Sequence, residues 1–270
     1  MPPRIAIPLP HSFDSEYAER AIPQYEHAVR VAGGDAVRIA LDQSLEQTLR
    51  IMESCDGVLL PGSKADVDPA RFCAVRSPHT AKADARRDAV DGLLLQHAYE
   101  LRKPVLGICY GLQSLNVYRA GSLIQHIPDS LPEELRMKVN HEAGKNVAVA
   151  HSVEIDSESE LAKIVVVVPR SDAQGPIVVP VNSSHHQSAD AIGDGLRIVA
   201  RCTDDGIIEA LEGTASDHFV LAVQWHPERS VDEDAPSRAI FAAFIKSASE
   251  SASESASDAK RHRATRNVTF

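Results

Sequence analysis

Five residues restrict the fold of this chain more than any others: Gly107-Ile108-Cys109-Tyr110-Gly111 set one cysteine between two glycines. They follow a short apolar run, residues 103–108, and open a helical pattern over residues 111–120. A strand that turns abruptly into a helix strains the residue at the turn and lifts its side chain above the sheet. The residues two before and two after it must then be too small to collide. Gly107 and Gly111 meet that need. The pattern predicts a strand–turn–helix unit in an α/β sheet, with the first amides of the helix directed at Cys109, where an anion or a thiolate would be stabilised.

A lone cysteine in an apolar strand is ordinarily a core residue, so a catalytic reading needs a base and an orienting acid from elsewhere. Phe219-Val220-Leu221-Ala222-Val223-Gln224-Trp225-His226-Pro227-Glu228 offers both. It reads as a buried strand that Pro227 terminates, leaving His226 and Glu228 where the strand leaves the sheet. Strand tips are where open α/β sheets build their sites. A cysteine nucleophile requires an imidazole to take its proton, and the imidazole requires a carboxylate to fix its tautomer and stabilise its charged form. Cys109, His226 and Glu228 fill these three roles.

The rest of the chain limits what such a site can serve. A length of 270 residues suffices for one large α/β domain with a sizeable core. The formal charge of −10 and the lack of a Lys/Arg stripe before the tail argue against a nucleic-acid partner and for a small molecule. Cysteines 55, 73, 109 and 202 show no paired spacing and no CxxC, which suggests neither disulfides nor a zinc knuckle and fits a reducing compartment. The twelve histidines show no HxxxH spacing, so neither a metal nor a cofactor is expected. The first residues lack a signal-peptide pattern and no run approaches membrane-spanning length. The expectation is a soluble cytoplasmic protein.

Through the first half, apolar runs at 4–8, 36–41, 57–61 and 103–108 alternate with helical patterns, the signature of a mostly parallel sheet covered on both faces. One helix fits residues 23–32, with Pro23 in its first turn and Gly33-Gly34 at its end. Another fits the stretch between Asp84 and Leu101, where Val90, Leu93, Leu94, His97, Ala98 and Leu101 share a stripe. The second half reads as strand-rich: 147–155, 163–168, 177–181, 196–202, 207–211 and 219–224. A closing helix carries Ile240, Phe241, Phe244 and Ile245. The domain is expected to end at residue 246, and residues 247–270, with repeated Ser-Ala-Ser-Glu, read as a disordered low-complexity tail.

With these residues in hand, the chain resembles the class I glutamine amidotransferase superfamily with a Cys-His-Glu triad, and within it the gamma-glutamyl-gamma-aminobutyrate hydrolase group, which is peptidase C26-like. The elbow, continued by Leu112-Gln113, and the run Gln224-Trp225-His226-Pro227-Glu228 mark the superfamily. Leu60-Pro61-Gly62-Ser63 followed by Asp66-Val67-Asp68-Pro69, then Arg87-Asp88, then Val181-Asn182-Ser183-Ser184-His185-His186-Gln187 point to the hydrolase group. The resemblance implies a flavodoxin-like three-layer α/β/α sandwich. It also implies an oxyanion hole formed by the backbone N–H groups of Gly62 and Tyr110, a glutamyl contact from Gln113, and help from Ser184 and His185 in holding the glutamyl α-amino and carboxylate ends. Tyr110 stands where this group usually carries arginine, and Ala120-Gly121 replaces the more usual Gly-Gly; a phenol there bears on substrate choice, not on the backbone role. Residues 128–150, with His141-Glu142-Ala143-Gly144-Lys145, carry no signature.

The activity implied is hydrolysis of a gamma-glutamyl amide, a C–N bond other than a peptide bond, through a Cys109 thioester, releasing glutamate and an amine as in polyamine catabolism. The alternative with the same triad is a glutaminase subunit that delivers ammonia to a separate synthetase. A third class, a non-catalytic binding protein that kept the fold, is opposed by the intact triad. The leaving amine, any synthetase partner and any homo-oligomer stay open at this level.

Overall fold

The computed structural model describes residues 1–166 and 176–266, with 254–266 described by backbone alone. In chain order the elements are β1 (Arg4–Pro8), α1 (Ser15–Val31), β2 (Asp35–Ile39), α2 (Leu45–Glu53), β3 (Gly57–Leu60), α3 (Ala85–Glu100), β4 (Val105–Ile108), α4 (Tyr110–Tyr118) and β5 (Leu123–Ile124). There follow α5 (Ile127–Ser130), α6 (Glu133–Arg136), β6 (His151–Ile155), α7 (Glu160–Val165), β7 (Ile177–Val181), β8 (Ser188–Ala189), β9 (Leu196–Cys202), β10 (Ile208–Gly213), β11 (Val220–Val223) and α8 (Ala235–Arg266).

Nine strands form one sheet in the order β2-β1-β3-β4-β11-β10-β9-β6-β7, and β5 pairs with β8 in a second, two-stranded sheet. The pairs from β2 through β11 are parallel, whereas those from β11 through β7 are antiparallel. The mostly parallel flavodoxin-like core and the strand-rich second half are therefore one continuous sheet. Its two faces follow from the period of two along each strand. Ile5, Ile7, Leu59, Leu106 and Ile108 pack with Ile22, Tyr25 and Val29 of α1 and Phe241 and Phe244 of α8. The alternate residues Ala6, Val58, Leu60 and Val105 pack with Leu94 and Leu95 of α3 and Leu112 and Leu115 of α4.

Three expectations change. The run 163–168 is not a strand through residue 165: α7 occupies Glu160–Val165, with the Ser159 side chain accepting from the Ala162 N–H and with Leu161, Ala162 and Val165 buried. A β-branched run favours a strand by propensity, but the cap and a helical apolar stripe decide the outcome. Residues 167 and 168 lie outside the described residues. The first helix starts at Ser15, capped by Asp14, so Pro23 is interior rather than in its first turn. Finally, α8 runs past Lys246 through the Ser-Ala-Ser-Glu repeats to Arg266. Its buried apolar residues end at Ala248 among those with described side chains; beyond, Ala, Glu, Lys and Arg carry helix propensity without an apolar stripe.

Candidate active site

Three neighbouring parallel strands, β3, β4 and β11, deliver the site. β4 pairs with β3 and with β11, and the Cys109 N–H donates to Val223 O at 2.8 Å, so the chain after β4 stays in register with the end of β11. Cys109 sits between β4 and α4 with φ 54° and ψ −105°, a strained conformation for a residue with a Cβ. A Cβ on Gly107 would lie 2.9 Å from the Gly111 backbone, and one on Gly111 would lie 2.1 Å from Leu60 O. Both glycines are therefore obligatory for the turn.

His226 is 4 % exposed and its Nδ1–H donates to Glu228 Oε1 at 2.7 Å. This leaves Nε2 to face the thiol. Burial lowers the pKa of His226, but the Glu228 carboxylate and hydrogen bonding and charge at Cys109 outweigh it and raise the value to about 9. Glu228 lies in a short 3-10 turn after β11; burial raises its pKa, but the charge and hydrogen bond of His226 and the nearby Arg229 hold it below the ordinary value. Asn182 clamps the histidine backbone from both sides, accepting from His226 N–H at 2.9 Å and donating to His226 O at 2.9 Å. A thiol, an imidazole and an orienting carboxylate are thus held together in a buried setting.

Gly62 follows β3 and approaches closely enough that a Cβ there would stand 3.1 Å from His226 Cε1 and 3.7 Å from Cys109 Cβ. Its N–H donates to the Tyr25 hydroxyl at 3.0 Å, so an incoming oxyanion shares or displaces that contact. The N–H of Tyr110, first residue of α4, has no intrahelical acceptor and is available at the elbow. The Tyr110 phenol is directed into the protein: it donates to Asp88 Oδ1 at 2.6 Å beneath the Arg87 guanidinium, 4.9 Å from the ring centroid. Arg87 is fully buried and donates to Pro61 O at 2.7 Å, to Pro10 O at 3.2 Å and to Asp91 at 2.6 Å, bracing the backbone just before Gly62.

The remaining expected contacts distribute differently. Gln113 is buried, and its side-chain amide donates to Gln187 O at 3.2 Å and Gln224 Oε1 at 3.3 Å. Ser184 Oγ accepts from Arg229 Nη1 at 2.8 Å, and Arg229 Nε stands 3.7 Å from Glu228 Oε1, so Ser184 is linked to that carboxylate through the guanidinium. His185 Nδ1 meets Gln187 O at 2.9 Å and its Nε2 stands 3.5 Å from Glu209 Oε1, whereas His186 pairs with Asp66 at 3.1 Å. Sequence reasoning missed Tyr25, and it quoted Asn182 and Arg87 in motifs without their positioning roles. Tyr25 shares the buried stripe of α1 with Ala18, Ile22, Ala28 and Val29, so the only signal was a hydroxyl among apolar neighbours.

Comparison with known proteins gives the family. Residues 9–228 match the family Peptidase C26. The chain belongs to that family. It is 33% identical over 227 residues to the gamma-glutamyl-gamma-aminobutyrate hydrolase of Escherichia coli, covering 82% of this chain and 84% of that protein. It is 31% identical over 259 residues to a glutamine amidotransferase-like protein of Rickettsia prowazekii, covering 83% and 87%. The glutaminase domain of Trypanosoma brucei CTPS has the same fold, with a TM-score of 0.57 at 19% identity over 92% of this chain and 94% of that one. Membership places the chain among hydrolases with the glutamine amidotransferase fold. Among the described residues no helix is long and apolar enough to cross a membrane.

Proposed function

We propose that this protein hydrolyses a gamma-glutamyl amide, gamma-glutamyl-gamma-aminobutyrate or a related gamma-glutamyl amine, through a Cys109 thioester. The observation that carries the reading is Cys109 on its strained elbow beside a His226 whose other nitrogen is fixed at 2.7 Å by a buried Glu228. His226 Nε2 holds the proton it has taken from the thiol before the sulfur attacks the side-chain carbonyl. The resulting oxyanion lies toward the N–H groups of Gly62 and Tyr110, the kind of donor pair whose loss of one member costs about 10²–10³ in rate. Collapse breaks the C–N bond while the His226 imidazolium protonates the leaving amine. Water, deprotonated by His226, then cleaves the thioester, and glutamate leaves as the thiol is restored.

Family likeness and the E. coli relative's name support the gamma-glutamyl hydrolase reading; the glutaminase alternative shares the triad and is separated from it by activity alone. The test is glutamate release from glutamine, gamma-glutamyl-gamma-aminobutyrate and a gamma-glutamyl dipeptide, each beside Cys109→Ala. Turnover of a gamma-glutamyl amine far above glutamine, abolished in Cys109→Ala, is the expected result. Silence on all three substrates overturns it and favours a glutaminase subunit that awaits a synthetase.

A further inference from the structure

Four side chains outside the triad converge from four separated stretches of chain: His141 in the loop after α6, His151 at the start of β6, His185 between β7 and β8, and Glu209 in β10. All are buried, none more than 6 % exposed. One ligating atom from each lies within 4.8 Å of the others. Among the described residues neither oxygen of Glu209 has a hydrogen-bond partner, and neither do His141 Nδ1, His151 Nε2 and His185 Nε2. A buried carboxylate facing three imidazole nitrogens with no hydrogen bond among them is a costly arrangement unless something else joins them.

The distances say what would join them. Glu209 Oε1 stands 3.3 Å from His141 Nδ1, 3.5 Å from His151 Nε2 and 3.5 Å from His185 Nε2. A charge-assisted hydrogen bond closes at about 2.7–2.9 Å. Ligands on a tetrahedral zinc, with bonds of about 2.0–2.2 Å, stand about 3.3–3.6 Å apart. The far side of each ring is also engaged: His141 Nε2 meets Asp205 Oδ2 at 2.8 Å, His185 Nδ1 meets Gln187 O at 2.9 Å, and His151 Nδ1 faces Ser152 O at 3.4 Å. Acceptors there hold the proton on the outer nitrogen and turn each inner lone pair toward the common point, as the outer shell of a metal site does. Two carboxylates, Glu209 and Asp205, balance one divalent charge.

We propose that His141, His151, His185 and Glu209 form a closed, four-coordinate zinc(II) site. It joins the β6 and β10 strands to the two loops that carry His141 and His185. The second loop also carries Asn182, which grips the His226 backbone, and Ser184, which accepts from Arg229. The site is therefore structural, and it steadies the wall of the active site without touching the reacting atoms.

The experiment is zinc quantification by mass spectrometry on the untagged full-length protein, loaded with zinc and dialysed to remove free ion. Wild type and Cys109→Ala each retain about one zinc per chain, while Glu209→Gln and His151→Ala retain less than a tenth of that. Chelation lowers the wild-type Tm by about 8–16 °C relative to protein in free zinc at 1,000 times its Kd. Should either variant fail to fold, cobalt(II) titration of the chelated wild type decides: intense visible bands of a tetrahedral ion saturating at one equivalent support the site. Absence of those bands, a Tm that ignores chelation, or zinc retained in folded Glu209→Gln overturns it, the last two leaving a proton shared among the cluster or a different site as the occupant.

Discussion

Two buried histidine–carboxylate groups of the described residues are built to opposite rules. In the triad, His226 and Glu228 are two residues apart in sequence and meet at 2.7 Å, a distance that holds a proton. In the cluster, three histidines face Glu209 at 3.3–3.5 Å with no hydrogen bond, a spacing that leaves room for an ion. The first arrangement gives the imidazole that the proposed mechanism uses to move a proton. The second makes imidazoles whose protons are held on the outside and whose lone pairs are presented inward. The same residue types thus acquire opposite duties from less than an ångström of separation and from which ring nitrogen the protein engages.

The largest effect that would sharpen this contrast comes from the same change at each carboxylate. Glu228→Gln keeps the side-chain volume but loses the charge that fixes the His226 tautomer, so kcat for the best gamma-glutamyl substrate falls about 10⁴-fold with zinc content unchanged. Glu209→Gln instead lowers zinc content and Tm, and kcat of the protein that stays folded falls far less. Steady-state kinetics and metal analysis on both purified variants check the pair; equal losses of kcat in the two would erase the distinction.

That contrast also explains how much was legible in the sequence. The triad could be read because its constraints are local: Gly107 and Gly111 flank Cys109, and a proline fixes His226 and Glu228 at one strand end. The parallel half of the sheet followed from the same kind of information, since strands such as Arg4–Pro8 are apolar runs bounded by turn residues. The zinc cluster was not legible, because its ligands at 141, 151, 185 and 209 share no spacing and meet only once β6, β9 and β10 are paired. His185 is an example: by resemblance a substrate contact, it stands with Nε2 3.5 Å from Glu209 Oε1 and Nδ1 2.9 Å from the Gln187 carbonyl, a placement that its position in the sequence does not reveal. The α7 segment failed for another reason, a β-branched composition overruled by the Ser159 cap.

A smaller effect distinguishes the groups through pH. The folded-state pKa of His226 is raised from 6.5 to about 9, so the folded protein holds a proton there that the unfolded chain has released. Its contribution to stability is complete below pH 6.5 and is lost as pH rises through about 9. Thermal unfolding of zinc-loaded wild type from pH 6 to 9.5 should show a declining Tm, and zinc-loaded His226→Gln a shallower decline. An identical slope in the two would remove the charged His226 from the account.

The mildest prediction concerns the residues behind each group. Asp205 accepts from His141 Nε2 at 2.8 Å and also from the Ile207 N–H at 3.0 Å, so it holds the ring that presents Nδ1 to the cluster. Asp205→Asn preserves the shape and an acceptor oxygen but withdraws a negative charge next to a zinc ligand, making His141 a weaker donor and leaving Glu209 alone to balance the ion. Outer-sphere changes of this kind typically weaken metal binding by about 10–100-fold. Competition with a zinc-binding dye gives that number directly. The triad reports whether the effect stays where it arises: because Asp205 connects to His226 through His141 and the loop of residues 182–187, kcat with zinc saturating should return to the wild-type value, whereas in limiting zinc it should fall together with occupancy. A loss of kcat that saturating zinc does not restore would make Asp205 part of the catalytic wall in its own right and dissolve the separation between the two groups.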